Sequence, residues 1–414
     1  MGEPEEEGPT LSVSLRHLRL FESVARLSSV RQASEECHLS QPAVTQAIAK
    51  LEGQIGATLL ERRASGSYLN DRGKIFYRRV ARLFEQMEEA LEELGAQGRG
   101  TPLSIVASNI TRSQIRSLSA IIDNGSFVQA ARALDVSQAS MHRAARDLER
   151  NLRRPLYHRT AFGIMATPPA VEFFRKVKLA LREIDWALEE LEAAKGNFGS
   201  KIIIGAMPLA GSVMLASVLH EFLSDYPHAS VQTFNSNADG LLKNLRMGVV
   251  DFVIGLLRDP APPGLINEPL IQTPYVVAAR HGHPLTRKTR VSLDEIAGQE
   301  WVVGTPGASR RVAFDDLFAK GHRPHAPLET SSLATIRTLL AQGDRLTLLT
   351  SYELTCERDC FAAVPFGPIR PVPSLGVTTR TNWLPTPLQE SFLELFRKRI
   401  VGGLEPADEQ QKAG

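Results

Sequence analysis

Leu39-Ser40-Gln41-Pro42-Ala43-Val44-Thr45-Gln46-Ala47-Ile48-Ala49-Lys50-Leu51 carries a helix together with its own start signal. Ser40 predicts an N-cap whose hydroxyl accepts from a free amide of the first turn. Pro42 is tolerated there because first-turn amides have no intrahelical partner. Val44, Ile48 and Leu51 recur at i, i+4 and i+7 as a buried stripe, so Gln41, Thr45, Gln46, Ala49 and Lys50 face outward. Glutamine sets a donor and an acceptor against an adenine edge, threonine offers a hydroxyl or a methyl, and lysine neutralises phosphate. Two shorter helices precede this one: Leu18, Phe21, Val24 and Ala25 at helical spacing, then residues 30–37 up to a break at His38-Leu39. Arg62, Arg63, Ser65, Gly66 and Ser67 follow as a basic, flexible turn suited to a DNA backbone. Periodicity alone leaves two readings, a winged helix-turn-helix that reads DNA and a three-helix interaction module with a solvated polar face.

The stretch has an echo. Ser137-Gln138 lies 97 residues after Ser40-Gln41, and the offset holds without a gap. At that shift Arg19 meets Arg116, Ser29 meets Ser126, Gln32-Ala33 meets Gln129-Ala130, Leu51-Glu52 meets Leu148-Glu149, Arg62 meets Arg159 and Gly66 meets Gly163. Ala90-Leu91-Glu92-Glu93-Leu94 recurs intact as Ala187 to Leu191. A unit has been duplicated.

Leu15-Arg16-His17-Leu18-Arg19-Leu20-Phe21, Ala33, the stretch 39–48, Leu51-Glu52, Ile55-Gly56, Leu59-Leu60-Glu61-Arg62 and Leu69-Asn70-Asp71-Arg72-Gly73 closely resemble the winged helix-turn-helix of LysR-type transcriptional regulators. The resemblance implies that Ser40, Gln41, Pro42, Ala43, Thr45, Gln46 and Lys50 enter the major groove, with Arg62 and Arg63 on the wing. Phe76, Val80, Leu83, Met87, Leu91 and Leu94 follow as a coiled-coil-like seam. In that family such a helix pairs two subunits, so that two heads meet two half-sites.

The second copy departs from the family, whose members carry one head. Ala139 stands in place of Pro42, and the outward set becomes Ser137, Gln138, Ser140, His142, Arg143 and Arg146, more cationic than the first. Its wing is weaker: Thr160, Ala161, Phe162, Ile164 and Met165 replace the basic turn, and Pro168-Pro169 replaces Asp71-Arg72. A second seam runs through Phe173, Val177, Ala180, Ile184, Leu188 and Leu191. Two readings stay open, a second DNA contact and a degenerate copy kept for dimerisation and packing.

From Lys201 short β-branched runs (202–204, 231–234, 252–255, 276–278, 301–303 and 346–349) alternate with helices, the pattern of an α/β domain with a largely parallel sheet. Gly196, Gly199 and Ser200 mark the hinge into it. Three strand-to-helix turns present amides and hydroxyls for a ligand: Met207, Leu209, Ala210, Gly211 and Ser212; Thr305, Pro306 and Gly307; Thr330 and Ser331. Tyr226-Pro227, 251–255, His283-Pro284-Leu285 and the helix 388–399 resemble the effector-binding domain of the same family. That likeness implies two α/β subdomains like a periplasmic binding protein, crossovers near 275–280 and 376–380, and an organic acid or a sugar as effector.

The expected organisation is multidomain: an acidic tail (1–13), a winged helix-turn-helix head (14–74), a linker helix (75–97), a connector (98–110), a divergent second head (111–171), a second linker helix (172–197), an effector domain (199–400) and a tail (401–414). The effector domain splits into 199–277 with 376–400, and 278–375. A net charge of +2 on 414 residues confines any nucleic-acid surface to local patches. Glu3, Glu5, Glu6 and Glu7 occupy the place of a basic signal-peptide start, and no apolar run reaches membrane-spanning length, so a cytoplasmic protein is expected. Cys37, Cys356 and Cys360 read as reduced thiols, with a redox switch at the last two as the alternative. His281, His283, His322 and His325 read as solvated loop residues, not metal ligands. No phosphate loop, Gly-x-Ser-x-Gly elbow or His-Glu-x-x-His helix points to an enzyme. No cofactor or metal is expected. The expected partners are duplex DNA, a small effector, a second copy as homodimer or homotetramer, and RNA polymerase. A solute-binding transport protein is the runner-up, favoured by the C-terminal half and opposed by the N-terminal one.

Overall fold

The computed structural model describes residues 13–96, 102–160, 163–196 and 201–402. Most of the acidic tail, the start of the connector, Ala161 and Phe162, the hinge pair Gly199 and Ser200, and residues 403–414 lie outside them. Two compact units divide the chain, Met1–Asn197 and Phe198–Gly414.

The first unit opens with α1 (Leu15–Leu27), α2 (Val30–Glu36), α3 (Gln41–Ile55), the hairpin β1 (Leu60–Arg63) and β2 (Gly66–Leu69), and the long α4 (Asp71–Glu93). After α5 (Leu103–Asn109) the order repeats as α6 (Arg112–Asn124), α7 (Phe127–Ala133), α8 (Gln138–Leu152), β3 (Tyr157–Thr160), β4 (Gly163–Ala166) and α9 (Pro168–Ala193). The repeat extends to single bonds. Ser29 and Ser126 cap α2 and α7, and Ser40 and Ser137 cap α3 and α8. His38 and Asp135, one offset apart, both turn through left-handed backbone, at φ 53° and 51°. Glu52 accepts from the amides of Leu59 and Leu60 at 2.7 and 3.2 Å, and Glu149 accepts from those of Leu156 and Tyr157 at 2.7 and 3.3 Å. The recurring Leu-Glu pair is thus a structural tie that holds the base of each hairpin to the helix before it.

The linker helices α4 and α9 pack against each other in antiparallel sense, since Arg79 meets Glu190 while Glu93 meets Lys176. Phe76, Val80, Leu83, Met87 and Leu91 are fully buried, and Phe173, Val177, Ala180, Ile184 and Leu191 are 3% exposed or less. Leu94 and Leu188 are half-buried. At about 1.5–3 kcal/mol for each large side chain buried, this seam is a main source of stability in the unit. Within one chain each of these seams covers the other. The connector also holds a helix, α5, whose Val106 and Ala107 join the same core.

The second unit comprises β5 (Lys201–Ala206), α10 (Ala210–Asp225), β6 (Ser230–Asn235), α11 (Ala238–Arg246), β7 (Phe252–Leu256), β8 (Leu265–Gln272) and β9 (Tyr275–Arg280). It continues with α12 (Leu293–Ala297), β10 (Glu300–Val303), α13 (Ser309–Leu317), β11 (Leu328–Glu329), α14 (Leu333–Ala341), β12 (Arg345–Thr350), α15 (Ser351–Cys356), β13 (Phe361–Ala363), β14 (Ser374–Arg380) and α16 (Pro387–Gly402). Two five-stranded sheets result, in the orders β6-β5-β7-β14-β8 and β11-β10-β12-β9-β13. Each is mixed: two parallel pairings are followed by two antiparallel ones, so β14 and β9 run against the other four strands of their sheets, where the sequence suggested a largely parallel sheet. β9 pairs with β12 from Tyr275 onward, so the first crossing falls at Thr273-Pro274 and not after residue 277. β8, β11 and β13 were not expected. β8 contains Pro269, which a sheet accepts because β8 is an edge strand.

Candidate nucleic-acid interface and effector site

On α3 the Ser40 hydroxyl accepts from the Ala43 amide at 3.4 Å, and Gly56 closes the helix at φ 68°. Val44, Ala47, Ile48, Leu51 and Ile55 are buried, which rotates Gln41, Pro42, Gln46, Ala49 and Lys50 into solvent and leaves Ala43 and Thr45 half-buried. The polar face expected from the spacing is therefore present. His17 of α1 lies within the field of Lys50, and its imidazole is held below the ordinary range by burial first and by Lys50 and Arg16 second.

The first wing is docked. Gly66 sits at φ 149°, and a Cβ there would come within 2.4 Å of the Ser28 carbonyl oxygen, to which the Ser67 amide donates at 3.0 Å. Arg63 pairs with Glu61 at 3.0 Å and lies over the Tyr68 ring at 5.6 Å, whereas Arg62 is exposed. Of the two expected wing cations, Arg62 is the one presented to solvent without such a clamp.

On α8 the Ser137 hydroxyl accepts from the Ser140 amide at 3.1 Å, and the Ser140 hydroxyl lies 3.0 Å from it. Met141, Ala145, Leu148 and Leu152 are buried, and Gln138, Ser140, Arg143 and Arg146 are exposed. His142 of the expected outward set is half-buried, like Thr45 at the matching position, and stacks on Phe127 at 4.6 Å. Phe127 stands where the first copy has Val30. The sequence reading missed Arg112 and Arg116 of α6, which line a hollow of about 390 Å³ together with Val136 and Ser140 at the start of α8. Their signal was the basic start of α6. A Cβ at Gly163, at φ 125°, would meet nothing within 4 Å, so the tight backbone approach seen at Gly66 is not repeated there, and the second hairpin packs on its own copy through Tyr157 and Ile164.

In the second unit Thr305 and Ser331 come together, hydroxyl to hydroxyl, at 3.0 Å. Thr330 donates its amide to Val303 and accepts from the Ser332 amide at 3.1 Å, while Pro306 and Gly307 are exposed. Gly211 packs so closely that a Cβ would lie 2.7 Å from the Ile254 carbonyl, and Ser212 is exposed at the start of α10, beside Ala210. Leu209, at φ 68°, leaves its own sheet and joins Ala278, Val302, Ile336 and Phe361. Val302 precedes the Thr305 turn and Ile336 follows Thr330 and Ser331, so Leu209 shares a core with the elements that flank the other two turns. Two expected contacts change character, because Met207 and Leu209 are core residues: Met207 packs with Leu241, Leu245 and Val253. The sequence reading missed Tyr275, whose hydroxyl donates to Ser309 at 3.0 Å beside the Thr305 turn. His283 is another correction, being buried with Nδ1 accepting from the Leu285 amide at 3.1 Å, and burial lowers its pKa. The three cysteines are free thiols, Cys356 exposed and the others half-buried. No group of three or more metal-ligating side chains, and no helix long and apolar enough to cross a membrane, occurs among the described residues.

Residues 195–400 match the family model described as the LysR substrate binding domain. Residues 15–74 and again 113–170 match that of the bacterial regulatory helix-turn-helix protein, lysR family. The chain is a LysR-type transcriptional regulator. Like others of its family, the regulator binds DNA through its N-terminal region and responds to a small molecule through its C-terminal α/β domain. It is 29% identical over 399 residues to the HTH-type transcriptional regulator GalR of Pseudomonas putida, covering 94% of this chain and 98% of that one. It is 26% identical over 292 residues to the transcriptional dual regulator OxyR of Escherichia coli, covering 69% of this chain and 94% of that one. A solved full-length OxyR variant from Pseudomonas aeruginosa shares the fold over 70% of this regulator and 93% of its own chain, with a TM-score of 0.50 at 19% identity.

Proposed function

We propose that this regulator carries two tandem winged helix-turn-helix heads and that both contact duplex DNA. The observation that carries the reading is the exposed face of α8, where Gln138, Ser140, Arg143 and Arg146 stand at the positions from which α3 presents Gln41, Ala43, Gln46 and Ala49. A copy kept only for packing gains nothing from two solvent-facing arginines there. The alignment with GalR supports it too, since 399 residues are enough to span both copies. In the first head Gln41, Thr45, Gln46 and Lys50 read base edges and Arg62 follows the backbone; in the second, Arg143 and Arg146 add charge and Gln138 adds an amide. The effector, an organic acid or a sugar, binds at the turns that carry Ser212, Thr305 and Ser331, and acts through unequal affinity for two arrangements of the regulator in the cytosol. RNA polymerase is the downstream partner.

A salt titration on a duplex from the DNA flanking the regulator's own gene tests the heads. Gln41→Ala with Thr45→Ala should cost about 1–3 kcal/mol on that duplex and little on random DNA, whereas Arg143→Ala with Arg146→Ala should lower the salt slope by roughly one to two. An unchanged affinity and slope in the second variant would remove the second head from the DNA. For the effector, a panel of aromatic acids and sugars should contain a compound that raises Tm, and Ser331→Ala with Thr305→Val should abolish that rise.

A further inference from the structure

The antiparallel pairing of α4 with α9 has the register of a two-fold interface. At the 97-residue offset Arg79 corresponds to Lys176, and Glu93 corresponds to Glu190. Arg79 bonds Glu190, and Lys176 bonds Glu93. The two contacts are images of each other, as in an isologous dimer where residue i meets j and j meets i. Gln86 and Glu183 are themselves one offset apart and bond to each other at 2.9 Å, which places the pseudo-dyad at that pair.

Away from the backbone the symmetry is broken, and always in one direction. Glu183 is 1% exposed and accepts from Arg79 at 2.9 Å and from Arg82 at 3.2 Å as well as from Gln86. Arg79 is fully buried, shared between Glu183 and Glu190, and lies over Trp186 at 5.6 Å. Its counterpart Lys176 lacks a fork that can hold two carboxylates. A pair of two α9 helices would press one Glu183 against another at the dyad, with Leu179 where Arg82 stands. A pair of two α4 helices would put Gln86 where the buried Arg79 needs Glu183, and Glu89 in place of Trp186. Only unlike helices satisfy the buried charges. Both seams are covered in a single chain, α5 packs against α4, and Arg154 of the second copy donates to the Gly95 carbonyl at 2.5 Å.

We propose that the first unit is a built-in pseudo-dimer: α4 and α9 pair within one chain, so a single chain presents two unlike recognition helices to one asymmetric DNA site. Where a symmetric dimer reads an inverted repeat, this unit reads two different half-sites in a set order. The asymmetric site rests on the second head being a reader; the pairing does not.

The test uses the full chain with Cys37, Cys356 and Cys360 changed to serine, Glu93→Cys and Lys176→Cys added, and a bifunctional maleimide. The expected product is one chain bridged to itself. A mixture of chains carrying only Glu93→Cys with chains carrying only Lys176→Cys should give no bridged product. Covalent dimers in that mixture would overturn the pairing. A random duplex pool is then selected with the wild-type chain. The expected site has two unlike halves; Gln41→Ala with Thr45→Ala weakens only one, by roughly tenfold, and Arg143→Ala with Arg146→Ala only the other. An inverted repeat whose two halves respond alike to either variant would overturn the asymmetric site. Intrachain bridging with no response to the second variant would uphold the pairing and overturn both the asymmetric site and the second head as a reader.

Discussion

The two copies in the first unit share the serine caps of their second and third helices, a left-handed turn and the glutamate that ties each hairpin to its helix, yet they differ at many positions where a side chain meets solvent or the other copy. The first has a docked wing and an amide-rich helix face. The second has a wing with open space around Gly163, a cationic face and a histidine stacked on Phe127. After duplication, backbone hydrogen bonds and caps admit few substitutes, while outward positions are free to change with the surface they touch. The difference therefore separates the residues that build the fold from those at its surface.

The strongest way to break the comparison is at the linker pair. Arg79→Met leaves Glu183 and Glu190 buried with reduced compensation and should destabilise the first unit by about 3–5 kcal/mol in urea unfolding. Lys176→Met, at the matching position, faces an exposed Glu93 and should cost about 1 kcal/mol or less. Equal losses would mean that the buried charges do not distinguish the two linkers.

A middle-sized effect is expected at the wings. Gly66→Ala is strained by its φ and also driven into the Ser28 carbonyl, so about 2–3 kcal/mol should be lost in stability, with wing-dependent DNA affinity falling too. Gly163→Ala is strained by φ alone, with open space around it, and should cost nearer 1 kcal/mol. If Gly163→Ala proved the more damaging, the open space around Gly163 would have to be filled by another surface.

The smallest effect is titration. His17 has a lowered pKa in the folded chain and its counterpart is Gln114, which does not titrate and instead completes a capping box on Thr111. A histidine with a depressed folded pKa contributes fully above its unfolded value of about 6.5 and loses that contribution as pH falls through the folded value. Thermal unfolding should thus show a loss below about pH 6.5 in wild type that is smaller in His17→Gln. An identical pH profile in the variant would show that the Lys50 neighbourhood is better solvated than the fold indicates.

Much of this protein was legible in the sequence because it rests on local chemistry. Ser40, Pro42 and the Val44-Ile48-Leu51 stripe specify a helix and its solvent face without reference to anything distant, and the constant offset announces the duplication. The strand-to-helix turns of the second unit were legible for the same reason. Side-chain destinations were not: Met207 and Leu209 read as ligand contacts because they stand beside a helix start, and only the packed structure shows them spent on two different cores. The linkers make the point most sharply. A seam of apolar residues states that a helix has a partner, but period alone does not name it, and nothing in the pattern around Arg79 announces a buried charge. Tertiary structure decided that the partner is α9 of the same chain, because a fully buried guanidinium must be met by carboxylates, and Glu183 and Glu190 are where they are found.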